Sequence, residues 1–255
     1  MRIRATAAVS FGALALAGLA VPAAQAAPGD GGLGDVRITK VVVDGDNKVP
    51  VSTNAAKTIS ISVTATDDSG IKGAEHFSLK GPDYGFEMTG TPTCKKVNAT
   101  TSTCTASVKV DPRTDYLSNK NAGTWYVDAW IDANDGDFVW KEKAGHFYFQ
   151  RLTKLTVNAT PEPVKKGRTL TVTGSLTRAD WETLKFGGYG AQPVQLQYKK
   201  KGSTKWSTVK TVRTSSTGGL KATVKATADG SYRYTYAGNS VTAAVTTAGD
   251  FVDVK

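Results

Sequence analysis

Short stretches of strict alternation between apolar and polar residues run through most of this chain. In Thr58-Ile59-Ser60-Ile61-Ser62-Val63-Thr64-Ala65-Thr66, the Ile, Val and Ala side chains point one way and the Ser and Thr side chains the other. That period of two is the mark of a half-buried β-strand. Trp125, Val127, Ala129 and Ile131 repeat it, as do Leu170 and Val172, then Val194, Leu196 and Tyr198, then Leu220, Ala222, Val224 and Ala226, and finally Tyr232, Tyr234 and Tyr236. No amphipathic helix longer than two turns is visible. Strands are expected near 36–43, 57–66, 74–80, 104–110, 124–133 and 138–149 in the first half. In the second half they are expected near 153–158, 168–177, 193–199, 205–213, 219–227, 231–236 and 241–254. Turn signals every 8–12 residues or so between short strands point to β-sandwiches.

The first 26 residues break this pattern. Arg2 and Arg4 precede an uncharged run from Phe11 to Val21, and Ala24-Gln25-Ala26 then offers a small-x-small cleavage site. This is the layout of a secretory signal peptide. The apolar run falls short of the ~20 residues that span a bilayer, and Ala27 gives no cysteine to accept a lipid. The expected mature chain is secreted and extracellular, with the cell surface as a place of retention. Cleavage leaves 229 of the 255 residues, enough for two domains, 27–150 and 151–255. Cys94 and Cys104 are the only cysteines. In an oxidising compartment, two at this spacing most simply form one disulfide, whereas zinc would want more Cys or His nearby.

Charge separates the halves. Residues 27–150 carry 13 Lys and Arg against 16 Asp and Glu, a net of −3, while residues 151–255 carry 17 against 6, a net of +11. Such asymmetry points to two modules with different surfaces.

Several motifs carry a family resemblance. Asp229-Gly230-Ser231-Tyr232, one residue shorter between Asp and Gly, resembles the Asp-x-Gly-x-Tyr turn of immunoglobulin-like folds, in which the Tyr hydroxyl bonds back to the corner backbone. The run from Val194 to Gly202 followed by Trp206 resembles strands C and C′ of bacterial immunoglobulin-like modules. Together with Pro163-Val164-Lys165-Lys166-Gly167 and Ala237-Gly238-Asn239, it resembles the C-terminal module of exported actinomycete immunoglobulin-like proteins, some of which are labelled calcium-binding. In the first half the likeness rests on Thr66-Asp67-Asp68-Ser69-Gly70-Ile71 and Ala122-Gly123-Thr124-Trp125. The resemblance implies an all-β protein of two tandem immunoglobulin-like β-sandwich domains behind a cleaved signal peptide. It supplies no ligand set.

Three constellations are candidates for chemistry. With the strand order of such a sandwich, Asp67 and Asp68 fall in the B–C loop, and Asp132, Asn134, Asp135 and Asp137 in the F–G loop. Those loops meet at one end, and Ca²⁺ takes 6–8 oxygen ligands. The spacing from Asp132 is close to an EF-hand loop, but its Gly136 comes one place early and Lys143 stands where the closing Glu belongs. The plain alternative is that Asp, Asn and Gly are there as turn formers. A second acidic set, Asp44, Asp46, Asp111 and Asp115, belongs to the opposite end, with Lys154, Lys165 and Lys166 as rival partners.

The basic second domain offers Lys199, Lys221, Lys225 and Arg233 on strands and Lys200, Lys201, Lys205, Lys210 and Arg213 around a hairpin. These attract cell-wall or extracellular anionic polymers, or else simply keep the domain solvated. No sequence-specific nucleic-acid motif is present. Among aromatics, Tyr126 and Trp130 alternate outward, and Trp181, Phe186 and Tyr189 lie in a Gly-rich stretch. They either stack on sugars or pack at sandwich ends and between domains. His76 and His146 both read as structural strand residues, and no catalytic motif stands out. The expected function is a non-enzymatic bacterial binding protein with Ca²⁺ in its first domain. A carbohydrate-binding accessory protein and a structural or protein-interaction protein are the rivals.

Overall fold

The computed structural model describes residues 30–255, and the leader expected at 1–26 lies outside them. Strands dominate, and the helical element among the described residues is a single 3-10 turn, Asn119–Asn121. The first domain is two packed sheets. One runs in the order Arg37–Val43, Lys57–Thr66, Thr101–Val110, Thr89–Lys96. The other runs Gly31–Leu33, Phe138–Arg151, Gly123–Ala133, Ile71–Lys80, Gly85–Glu87, and Lys48–Val51 joins Phe138–Arg151 in parallel. This is the ABED and CFG partition of an immunoglobulin-like sandwich.

The second domain repeats the plan. Asn158–Thr160, Thr169–Asp180 and Gly219–Lys225 form one sheet. Ser207–Arg213, Pro193–Lys200 and Gly230–Tyr236 form the other, extended by Val245–Thr246 and Asp250–Val252.

Alternation in the sequence becomes burial. Ile59, Ile61, Val63 and Ala65 face Trp125, Val127, Ala129 and Ile131 within one hydrophobic cluster, while Leu170, Val172, Val194, Leu196 and Tyr234 belong to a second. Cys94 stands directly opposite Cys104 in antiparallel register, and the two form a disulfide that fastens the edge strand Thr89–Lys96. That strand lies outside the ranges expected from alternation, although the Thr and Lys around the two cysteines are compatible with two short strands as well as with a loop. It carries Gly90 and Pro92, and Pro is tolerated on an edge. Lys48–Val51 and Gly85–Glu87 were also missed, being too short to show a period.

The tyrosine corner is built differently from the expected one. Tyr198, from the neighbouring strand, donates its hydroxyl to the carbonyls of Ala228 (2.9 Å) and Asp229 (3.0 Å). Tyr232 instead packs its ring against Tyr198. The corner is closed, from the opposite strand.

The domains are joined through Arg151. Its backbone N–H donates to Val241, its carbonyl accepts from Ala243, and its buried guanidinium donates to Ala179 and lies 3.8 Å from Asp180. Thr169–Asp180 is long enough to carry its far end past its own sandwich, so that Ala179 and Trp181 belong to the first domain's hydrophobic cluster. Trp181 is 2% exposed, packs on Phe149 and donates its indole N–H to the carbonyl of Val51 at 3.2 Å. Next to it, Glu182 accepts from the Ser118 hydroxyl and from the Asn119 backbone and side chain. Trp181 is therefore a junction anchor, and the sugar-stacking alternative for it is overturned. Phe186 and Tyr189 are covered by Lys154 and Arg178. Trp181→Ala is expected to cost about 3–5 kcal/mol, the usual loss for emptying a buried Trp site, read as a lowered denaturant midpoint.

Candidate metal centre

The inward register of Lys57–Thr66 does not stop at its last apolar residue. Ile59, Ile61, Val63 and Ala65 are buried at every second position, and Asp67 is next in that series. The strand thus delivers a carboxylate to a core-facing position at the open end of the sandwich. Asp67 is 3% exposed. Its Oδ1 accepts from the Ser69 backbone (2.9 Å) and hydroxyl (2.5 Å), an Asx turn that bends the chain into the next strand. Its Oδ2 is buried and has no hydrogen-bond partner among the described residues. Burying a charged oxygen unsatisfied is costly, more so than the ~1–3 kcal/mol of a neutral group.

The F–G turn comes to meet it. Asn134 donates its side-chain N–H to the Ser69 carbonyl (2.9 Å), and its backbone N–H donates to Gly70 (3.0 Å). Asp135 donates its backbone N–H to the Ser69 hydroxyl at 3.3 Å. Gly70 leaves room for this contact: its φ is +86°, and a Cβ there would sit 3.1 Å from Asn134 Nδ2 and 2.6 Å from the Ala99 carbonyl of the neighbouring loop. Carboxylate oxygens of Asp67, Asp135 and Asp137 lie within 4.8 Å of one another, as do those of Asp67, Asp68 and Asp35.

The six expected ligands are therefore sorted. Asp67 stands at the meeting point, with Asp135 and Asp137 on one side and Asp68 on the other. Asn134 clasps the two loops together. Asp132 stands apart: as the residue after inward Ile131 it points to the outer face, where it accepts from the Trp130 indole at 3.0 Å. Asp35 is the member that the sequence reading missed. It precedes the first expected strand and belongs to neither loop, and only the fold brings it close.

None of the ion pairs among the described residues involves these five aspartates. The Asp35 carboxyl is held above the ordinary carboxylate value, first by desolvation, then by Asp68, Asp67 and Asp137. The opposite case is Asp111, lowered to about 2 by its hydrogen bonds from Arg113. The second acidic set is spent locally: Asp44 pairs with Lys57 at 2.6 Å, Asp46 accepts from the Lys48 backbone, and Asp115 from the Asp111 backbone. Two carboxylate triads that share the buried Asp67 suit a hard cation that takes only oxygen.

A pH dependence follows. Asp35 binds its proton more tightly folded than unfolded, so its ionisation opposes folding as pH rises through the folded value. Below the unfolded value that penalty is gone. In chelator, Asp35→Asn should flatten the fall in stability between acidic and neutral pH, measured as urea midpoints against pH.

The basic residues divide between two faces. Lys199, Lys200 and Arg233 lie on the sheet of Pro193–Lys200 and Gly230–Tyr236, with Lys201 and Lys205 in the adjoining hairpin and Lys210 and Arg213 on its edge strand. Trp206 orders two of them, with Arg233 4.1 Å and Lys199 5.0 Å from its ring. Lys201 pairs with Asp229 at 3.2 Å. Lys221 and Lys225 lie on the other sheet, where Lys225 joins Lys165 and Arg168 around a groove of about 610 Å³. On the outer face of the first domain Trp130 stacks on Phe138 and tilts against Trp140. Tyr126 is covered by Lys143. His76 meets Glu87 at 2.9 Å, and His146 packs against Tyr148.

No protein-family model and no curated protein match the chain. Among solved structures, the D0-D1 domain of Intimin is similar at 16% identity, covering 85% of this chain and 98% of that one, with a TM-score of 0.28. Three N-terminal domains of the bacteriophage RB49 highly immunogenic outer capsid protein are similar at 8% identity, covering 86% and 70%, with a TM-score of 0.30. Likenesses this distant carry no weight for function.

Proposed function

We propose that this chain is an extracellular, non-enzymatic binding protein whose first domain takes up Ca²⁺ between Asp67, Asp68, Asp135 and Asp137. The observation that carries the reading is the buried Oδ2 of Asp67, held without a donor in the middle of unpaired carboxylates. A cation supplies what the protein does not. Ca²⁺ fits better than Mg²⁺ because the donors come from separate loops and tolerate an irregular shell completed by water. The disulfide belongs with an oxidising, extracellular setting. At 10–100 times its Kd, calcium should add about 1.4–2.7 kcal/mol of stability. Millimolar Ca²⁺ should raise the melting temperature, chelator should reverse the rise, and Asp67→Asn should remove it. A wild-type melting temperature indifferent to calcium refutes the reading.

The second domain is the attachment surface. What supports this reading is that Arg233 and Lys199 are held at Trp206, with Lys200 and Lys205 in and beside the adjoining hairpin. Retention on immobilised anionic polysaccharide should fall steeply with salt. Replacing Lys199, Lys200 and Lys205 with Ala should lower the eluting salt concentration, whereas Lys221→Ala, on the other sheet, should leave it nearly unchanged. Equal effects from both faces would count against a single face.

A further inference from the structure

The segment before the first long strand is held on by unusual means. Gly31–Leu33 pairs antiparallel with Phe138–Trp140, but all three residues are exposed, Leu33 at 61%. Burial of apolar surface contributes little to keeping this arm in place before Val36 enters the core. The remaining ties are polar. Asp30 accepts from the Glu142 backbone at 3.0 Å and lies 3.9 Å from the Lys141 ammonium. The Asp35 backbone N–H donates to Asp137 Oδ2 at 3.0 Å.

Gly34 is shaped for that contact. Its φ is +78°, and a Cβ on it would fall 1.3 Å from Asp137 Oδ2. No other residue type lets the arm lie so close to the acidic turn. Yet the arm also brings the Asp35 carboxylate to within 4.8 Å of Asp67 and Asp68, and none of the ion pairs among the described residues involves these three. Without a cation, like charges push the arm away from its place. A bound cation reverses that force.

We infer that Asp35 is a further ligand of the cation site, and that occupancy by a divalent cation fastens the Asp30–Val36 arm onto the Phe138–Trp140 edge. The inference rests on the calcium reading above and adds regulation to it. The arm covers the backbone edge of Phe138–Trp140, so cation binding controls whether that edge is paired. Thermodynamic linkage makes the effect reciprocal: a cation that tightens the arm is itself bound more tightly because the arm is there.

The test uses the full chain and calcium alone as the probe. Hydrogen exchange of the Gly31–Asp35 amides is followed with Ca²⁺ and with chelator, and affinity is measured by calorimetry. Calcium should slow exchange in the arm about tenfold. Asp35→Asn should bind calcium about tenfold more weakly, as loss of one charged ligand implies, and should lose the protection. Gly34→Ala forces the arm and the Asp137 carboxylate apart, so it should lose arm protection and weaken calcium binding together, whereas Asp35→Asn leaves the Asp137 contact in place. In wild type the factor by which calcium slows arm exchange should equal the factor by which a closed arm tightens calcium. If wild type binds calcium and Asp67→Asn does not, while arm exchange ignores calcium and Asp35→Asn binds normally, the clamp is wrong and the site stands. If wild type binds no calcium, both fall.

Discussion

The inward register of the strand Lys57–Thr66 governs the first domain. One parity along it fixes four apolar side chains in the core, and the same strand pairs over ten residues with Thr101–Val110, which carries Cys104. Continued by one more step, that parity places Asp67 where an apolar side chain would otherwise go. A slip of one residue would turn the whole set outward. The acidic centre is thus an extension of the core pattern, and its rigidity comes from the packing beneath it. Gly70 and the Asn134 clasp then hold the second loop against the first.

At the other end of the domain, the contacts are of a different kind. Arg151 and Trp181 knit the sandwiches by buried hydrogen bonds and an aromatic plug rather than by a flexible tether, and Glu182 adds exposed hydrogen bonds at the rim. The second domain lends the first a piece of core. A Trp in a Gly-rich stretch reads first as packing, with sugar stacking as the rival. Its fate was decided by the length of Thr169–Asp180, which carries the hairpin beyond its own sheet.

How far the sequence could be read varied with the range of the interaction. Strands with a clear period of two were legible, because burial on one face writes itself into every second residue. So were the disulfide, which follows from two cysteines in an oxidising compartment, and the meeting of the B–C and F–G loops, which follows from strand order. Edge strands rich in Gly and Pro were not, since their pairing needs only one partner and leaves no period. Tyr198 in place of Tyr232 at the corner, and Asp132 facing outward, depend on side-chain direction at a strand end. Asp35 is separated from Asp137 by 102 residues, and nothing local in Gly34-Asp35 announces that approach. The cue that was available was the parity of Asp67 itself.

Phe138–Arg151 runs the length of the first domain, from the acidic turn at one end to the junction at the other. At ~3.3 Å per residue its 14 residues span roughly 45 Å. That is several times the ~8 Å over which charges are felt at physiological salt. A chain attached by its basic domain to a polyanion would sit on a surface that gathers calcium as counterion. The strand would carry the aspartates out of that layer, so they would register the calcium of the surrounding medium rather than the ions condensed on the polymer.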